Sequence, residues 1–342
     1  MSTTRISNLI KINPRFLRSV NIERDFGDAQ ALEGYVSTAE TNRYLQRIGR
    51  GLRAESGERA WRITGDFGSG KSSFALVLAN ILSRAASELP KNVKPLRQEL
   101  GLHRPPKLLP VLVTGAREPL AFAVVRGLHA ALTQHIDGRK KFQAKEAASQ
   151  ILANGRVDDR KVLELIEATS AELIEKGIFE GILLIIDELG KSLEFAALNP
   201  EKQDIYFLQT LAESSSRSSA APVYTLGLLH QGFADYAEKL TGTAQLEWAK
   251  VAERFSEITF SQPLGQVATL ISSALALKDD GTTLWGWKGK SANDMAEAID
   301  IGIYGPSSGK VYLSKIAPSL YPLHSTVIPV LTRFFRRFGQ NE

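Results

Sequence analysis

The stretch Ala60–Leu82 reads AWRITGDFGSGKSSFALVLANIL, and its order decides the fold. A short apolar run, AWRIT, is followed by a glycine-rich loop, Gly65-Asp66-Phe67-Gly68-Ser69-Gly70-Lys71-Ser72. The segment after it, FALVLANIL, is almost continuously apolar and suits a helix buried against a sheet. The loop fits G-x-x-x-x-G-K-[ST] and stands between a strand and a helix, as the physics of that pattern requires. Glycines let the backbone curl so that several N–H groups converge on phosphate oxygens, and the N-terminus of the next helix adds partial positive charge. Lys71 suits a bridge between β- and γ-phosphates, and Ser72 suits a hydroxyl ligand to Mg²⁺. Ser73 adjoins the loop, although its position equally suits helix packing. The competing reading is a glycine-rich turn that merely precedes a lysine, and the flanking strand and helix count against it.

The run GILLIID (181–187) ends in a pair of carboxylates, Asp187 and Glu188. A buried strand of this kind delivers its last residues to the carboxyl end of a parallel sheet, where ligands sit in open α/β folds. Asp187 suits the magnesium shell beside Ser72, and Glu188 suits the polarising of a water in line with the γ-phosphate. DELG also matches the D-x-x-G element of GTPases, yet no N-K-x-D or T-K-x-D string follows it. A solvated strand end is the plainer alternative for the pair.

Further strands are expected at LPVLVTG (109–115), PVYTLGLLH (222–230) and SEITF (256–260). Helices are expected over Thr38–Leu52, with Ser37 or Thr38 as N-cap, over Pro119–His135, and within the polar region Lys140–Lys176. Ser214–Pro222 reads as a serine-rich connection. Short apolar strands separated by helices give an α/β fold: a P-loop parallel sheet covered by helices, followed by a small, mostly helical lid. The expected boundaries are an N-terminal arm over 1–33, the nucleotide domain over 34–262 and the lid over 263–342. Within the lid, Leu264–Leu277 reads as helix, Lys278–Ser291 is rich in Gly, Asp and Trp, and the cluster from Trp285 to Lys290 suits a packed lid hairpin more than a platform for bases.

The 342 residues are 43% hydrophobic and 23% charged, ordinary values for a globular chain with a sizeable core. Cysteine is absent, which excludes disulfides, thiol nucleophiles and cysteine-rich zinc sites. No leader-like or membrane-spanning run is present, so a cytoplasmic location is expected, without membrane contact. A net charge of +5 favours polyanions only mildly, and no basic block marks a nucleic-acid arm. Trp285-Gly286-Trp287 beside Lys288 and Lys290 is the one cluster that interleaves aromatic and basic residues. The ending TRFFRRFGQNE, which breaks off without a stop signal, reads as a truncation from a longer protein.

Taken jointly, RITGDFGSGKSSFAL, LLIIDELGK, YTLGLLHQ and AERFSEITFSQPL resemble the AAA+ ATPases over roughly residues 34 to 264, especially the origin-recognition-like and signal-transducing STAND branches. The resemblance implies ATP and Mg²⁺ as ligands and ATP hydrolysis as the activity. It makes Tyr35 and Val36 candidates for packing the adenine, and Thr114 the polar residue that holds the catalytic glutamate in check. His230, or Gln231 beside it, takes the place of the γ-phosphate sensor, with histidine a departure from the usual Asn or Thr. Arg254 fits the arginine that reaches into a neighbouring subunit of a homo-oligomer; a surface ion pair is its alternative. A lid arginine on the nucleotide is Arg333, Arg336 or Arg337. RAWRITG and RRFGQNE are also similar to phrases in the N-terminal ATPase regions of large bacterial anti-phage proteins of the phage-exclusion type, which implies other domains or subunits of a defence complex as partners. Two readings stay open: a nucleotide-gated defence switch or remodeller, and an initiator- or loader-type ATPase acting on DNA.

Overall fold

The structure is a computed structural model that describes all residues except 1–5, 14–15, 17, 137–140, 156, 200–203, 239, 278–284, 306–308 and 339–342. Its strands are β1 (Ile10–Ile12), β2 (Ala60–Thr64), β3 (Leu109–Thr114), β4 (Ile182–Asp187), β5 (Val223–Leu229), β6 (Ser256–Thr259) and β7 (Leu275–Leu277). The described residues form two compact units, Val20–Phe260 and Met1–Ser19 together with Ser261–Glu342. The units part at Ser19/Val20 and Phe260/Ser261, whereas the sequence reading puts its boundaries after Glu33 and Gln262.

In the larger unit five parallel strands lie in the order β3-β4-β5-β2-β6. Burial across the sheet follows residue chemistry. β4 and β5, two interior strands of largely apolar residues, are buried along their whole length, as strands covered on both faces must be. Alternate residues serve opposite layers. Ile182, Leu184 and Ile186 join one core with the helix Leu120–His135. Leu183 and Ile185 join the other, with Trp61, Phe74 and Leu78. The α/β parallel sheet covered by helices is therefore as expected.

Helix limits follow local chemistry. Thr38, not Ser37, caps the helix Ala39–Gly51: its hydroxyl accepts from Thr41 N at 3.2 Å while Thr41 Oγ1 accepts from Thr38 N at 2.9 Å. Lys140–Lys176 resolves into Gln143–Asn154 and Asp159–Glu175, parted at Gly155. The serine-rich connection is shorter than its composition implies, because the helix Asp204–Arg217 runs through Ser214–Ser216. Ser215 and Ser216 donate to Leu211 O and Ala212 O, the carbonyls one turn back, so these serines are satisfied inside a helix.

The smaller unit differs more from expectation. The helix over Leu264 stops at Ala274, and Leu275–Leu277 turns into a strand antiparallel to Ile10–Ile12, with Ile10 opposite Leu277. Trp285–Ser291 opens the helix Trp285–Asp300 instead of forming a hairpin. Trp287 meets Tyr321 edge-on at 5.1 Å, so it is a packing residue. Ala268, Met295, Leu313 and Ile328 form this unit's own core.

Candidate functional site at the carboxyl end of the sheet

β2 ends at Thr64, and the chain then turns through Gly65–Gly70 into the helix Lys71–Ser83. The turn uses left-handed backbone at Gly68 (φ 68°) and Gly70 (φ 98°), conformations that glycine adopts without a Cβ penalty. Lys71 is 4% exposed, and its ammonium donates to Gly65 O at 2.5 Å and Asp66 O at 2.8 Å. Burial lowers its pKa to about 8, against the opposing fields of Asp187 and Asp66. Ser69 Oγ is buried with no hydrogen-bond partner among the described residues, which leaves an idle donor within the loop. Phe67 is 50% exposed.

β5 separates the phosphate-loop strand from the acid strand, so the residue after β5 falls between their two sets of side chains. That residue is His230. Its Nδ1 lies 3.4 Å from Lys71 Nζ, and its ring stacks on Phe67 with centroids 3.4 Å apart. Burial and then the Lys71 charge lower its pKa to about 4, so it is neutral at pH 7. Gln231 is exposed. Burial pushes the Tyr236 hydroxyl up to about 12, while hydrogen bonds with the His230 and Gln231 backbone oppose the rise.

β4 delivers the carboxylates. Asp187 is buried, and burial raises its pKa; hydrogen bonds from Ser72 and from the Glu188 amide pull it back, the latter at 2.9 Å. Glu188 adopts φ 53° and ψ 36°, and it is the one non-glycine residue at positive φ among those described. Such a conformation needs surrounding structure to hold it. Leu189 supplies part of that hold by packing on Gly227, where a Cβ would lie 2.6 Å from Leu189 Cδ2. Gly115 adds to it: its N–H donates to Asp187 O at 2.7 Å, and a Cβ there would lie 2.2 Å from Glu188 O.

The Glu188 carboxylate pairs with Lys191, one turn further along the helix Leu189–Leu198. Thr114 does not engage it. Thr114 N donates to Glu23 Oε1 at 2.5 Å, and its hydroxyl is buried without a partner among the described residues. In sequence, the only sign of Lys191 is its i+3 spacing from Glu188, a spacing shared by many surface pairs.

Lys71, Ser72, Asp187, Glu188 and His230 thus gather at one end of the sheet, and the remaining candidates stand differently. Tyr35 packs on the core layer around Leu32 and Phe74 while Asn92 Nδ2 donates to Tyr35 O at 3.1 Å, and burial pushes its hydroxyl to about 12. Val36 beside it is half-buried. Arg254 follows the helix Gly242–Glu253, is 52% exposed, and pairs through Nε with Glu213 of its own chain at 3.2 Å. Arg333 is exposed, while the side chains of Arg336 and Arg337 lie outside the described residues.

No group of three or more His, Asp or Glu residues that could hold a metal occurs among the described residues. A magnesium ion completed by phosphate oxygens and water needs no such cluster. No helix among them is long and apolar enough to cross a membrane.

No protein-family model matches the chain, and no curated protein matches it. Solved structures similar to it include the ORC2 protein of Aeropyrum pernix in ADPNP–ADP complexes, at 16% identity and TM-score 0.40, covering 92% of this chain and 74% of that one. The ADP form of the same ORC2 protein is 15% identical with TM-score 0.42, covering 90% and 73%. The A. pernix ORC1 protein in complex with DNA is 15% identical with TM-score 0.43, covering 98% and 66%. Likenesses this distant say nothing about ligand or partner.

Proposed function

We propose that the Val20–Phe260 unit binds ATP with magnesium and hydrolyses it, driving conformational change in a larger multidomain protein. The observation that carries this reading is the buried Lys71 ammonium. It rests on two carbonyls of its own loop, in the field of Asp187, and the same loop holds an idle Ser69 hydroxyl. A buried cation that rests on carbonyls and a neutral imidazole, with no carboxylate in direct contact, is poorly compensated, and phosphate oxygens would compensate it better.

The residues present fit such a ligand: inward-curled loop glycines, an unpartnered donor, and a hydroxyl beside a carboxylate at Ser72 and Asp187. Bound magnesium–ATP would supply the electrophilic γ-phosphorus. Lys71 would exchange its carbonyls for β- and γ-phosphate oxygens, and Ser72 and Asp187 would face the metal. Glu188, freed from Lys191, would orient the attacking water and take its proton. Neutral His230 would sense the γ-phosphate, and Tyr35 and Val36 would pack the adenine. Arg254 would act on a neighbouring subunit once released from Glu213, an exposed pair worth only about 0–1 kcal/mol.

The deciding experiment is Glu188→Gln, which should keep ATP affinity in calorimetry and slow phosphate release by at least ~10²-fold. Normal turnover in that variant would remove the hydrolytic reading. Arg254→Ala in the full-length protein should bind ATP normally, hydrolyse it poorly and regain activity when mixed with Lys71→Ala subunits. Failure of the two variants to complement would return Arg254 to its surface pair. We take the cellular role to be phage defence, on the RAWRITG and RRFGQNE resemblance. Plaque counts on cells carrying wild-type or Lys71→Ala full-length protein test it, and ATPase rates with and without duplex DNA test the initiator-type alternative.

A further inference from the structure

The helix Lys71–Ser83 starts at the phosphate loop and ends, roughly 20 Å away at 1.5 Å per residue, in a second cavity. This cavity of about 940 Å³ lies where β3 and β4 begin, at the end of the sheet remote from the loop. Four cations line it, Arg84, Arg97, Arg104 and Lys107, against two carboxylates, Glu88 and Glu180.

Some of that positive charge has an evident local use, and some does not. Three helices end at the wall, Lys71–Ser83, Leu120–His135 and Asp159–Glu175, and helix C-termini disfavour anions. Several carbonyls at these ends already have donors. Leu82 O accepts from Leu108 N, Arg84 O from Arg97 Nη1, Leu132 O from Ile136 N, and Leu173 O and Ile174 O from Ile178 N and Gly177 N. Arg104 pairs with Glu180. Lys107 makes no ion pair among the described residues, and its ammonium sits 4.8 Å from the centre of the Phe179 ring. His135, on the same wall, has its pKa lowered by burial and then by Arg84 and Lys107, which marks a positive local field.

An independent feature points to a ligand. Ser83 is 6% exposed and lines the cavity, and its hydroxyl is buried with no hydrogen-bond partner among the described residues. A buried donor of this kind is usually satisfied by something.

We infer that this cavity is a second anion site, separate from the phosphate loop, which takes a compact phosphorylated small molecule of the pyrophosphate class. Lys107, Arg84 and Arg104 would meet its charge, and Ser83 would donate to it. The volume falls within the range of small-molecule pockets, whereas a nucleic-acid strand is tracked by an extended groove.

The test uses inorganic pyrophosphate titrated calorimetrically at low salt into Lys71→Ala protein, in which the loop has lost its phosphate-binding side chain. Saturable binding is expected. Adding Lys107→Glu should weaken it ~10-fold, adding Lys107→Met should weaken it less, and adding Glu180→Gln should tighten it several-fold. Lys107 and Glu180 are exposed, so these changes leave the core intact. Absence of binding to Lys71→Ala protein, or binding that none of the three changes alters, would overturn the proposal. So would a short DNA duplex that binds through Lys107 while pyrophosphate does not. Loss of ATPase function elsewhere leaves this readout untouched, because it never passes through the loop.

Discussion

On the two proposals, the ends of the helix Lys71–Ser83 would hold negative charge by opposite means. At its start, consecutive residues from Gly65 to Ser72 would offer backbone N–H groups, beside one buried lysine. At its end, side chains from separate segments, Arg84, Arg97, Arg104 and Lys107, line a cavity at which three helices present their carboxyl ends. The first design tolerates little change in any one residue, because each amide depends on the curl of the whole loop. The second spreads its charge, so that single losses there are graded.

The sharpest break between the ends would come from Lys71→Ala, which should cut ATP affinity by at least ~10²-fold in calorimetry while leaving pyrophosphate binding at the far cavity intact. Equal loss at both would mean that the ends are one site. Next in size is Gly115→Ala, whose Cβ would meet Glu188 O at 2.2 Å and press on a turn already at φ 53°. A loss of about 1–3 kcal/mol in urea unfolding is expected, with hydrolysis impaired more than ATP affinity. Unchanged stability would show that the turn has slack.

A smaller effect follows from the lowered pKa of Lys71, about 8 when folded against 10.5 for a free lysine. Between these values the unfolded chain binds more protons than the folded one, so stability without nucleotide should rise with pH across that window. Lys71→Met should lose that rise, seen as melting temperatures of the two proteins that converge or cross between pH 8 and 10.5. A parallel response of both would place the titration elsewhere. The smallest effect concerns His230, whose folded pKa is about 4 against 6.5. Its contribution is complete above 6.5 and is lost as pH falls toward 4. His230→Asn should flatten the acid limb of the stability profile, and an unaltered limb would show that His230 is not buried beside Lys71 in solution.

The contrast between the ends also explains what could be read in the sequence. Gly65–Ser72 and Asp187-Glu188 are legible because the needed residues are adjacent in the chain and flanked by runs whose period declares strand or helix. His230 could be placed after its strand, but its stack on Phe67 depends on β5 lying beside β2, a register no local pattern encodes. Lys191 was hidden by ordinary i+3 spacing, and Arg254 by a partner, Glu213, on another helix. The far cavity joins Ser83 to Glu180 only through the sheet, so no window of sequence contains it. Ser215 and Ser216 mislead for a different reason: their hydroxyls bond back to helix carbonyls, an option that composition does not reveal.

The pairing of Ile10–Ile12 with Leu275–Leu277 carries a consequence for birth on the ribosome. Val20–Phe260 is a continuous stretch and can collapse as soon as it emerges, whereas Ile10 has no strand partner until Leu277 has been made. At roughly 5–20 residues per second that wait is on the order of tens of seconds, during which the edge of β1 is open to wrong partners. Its brevity and the lysine at its centre, Lys11, limit that hazard.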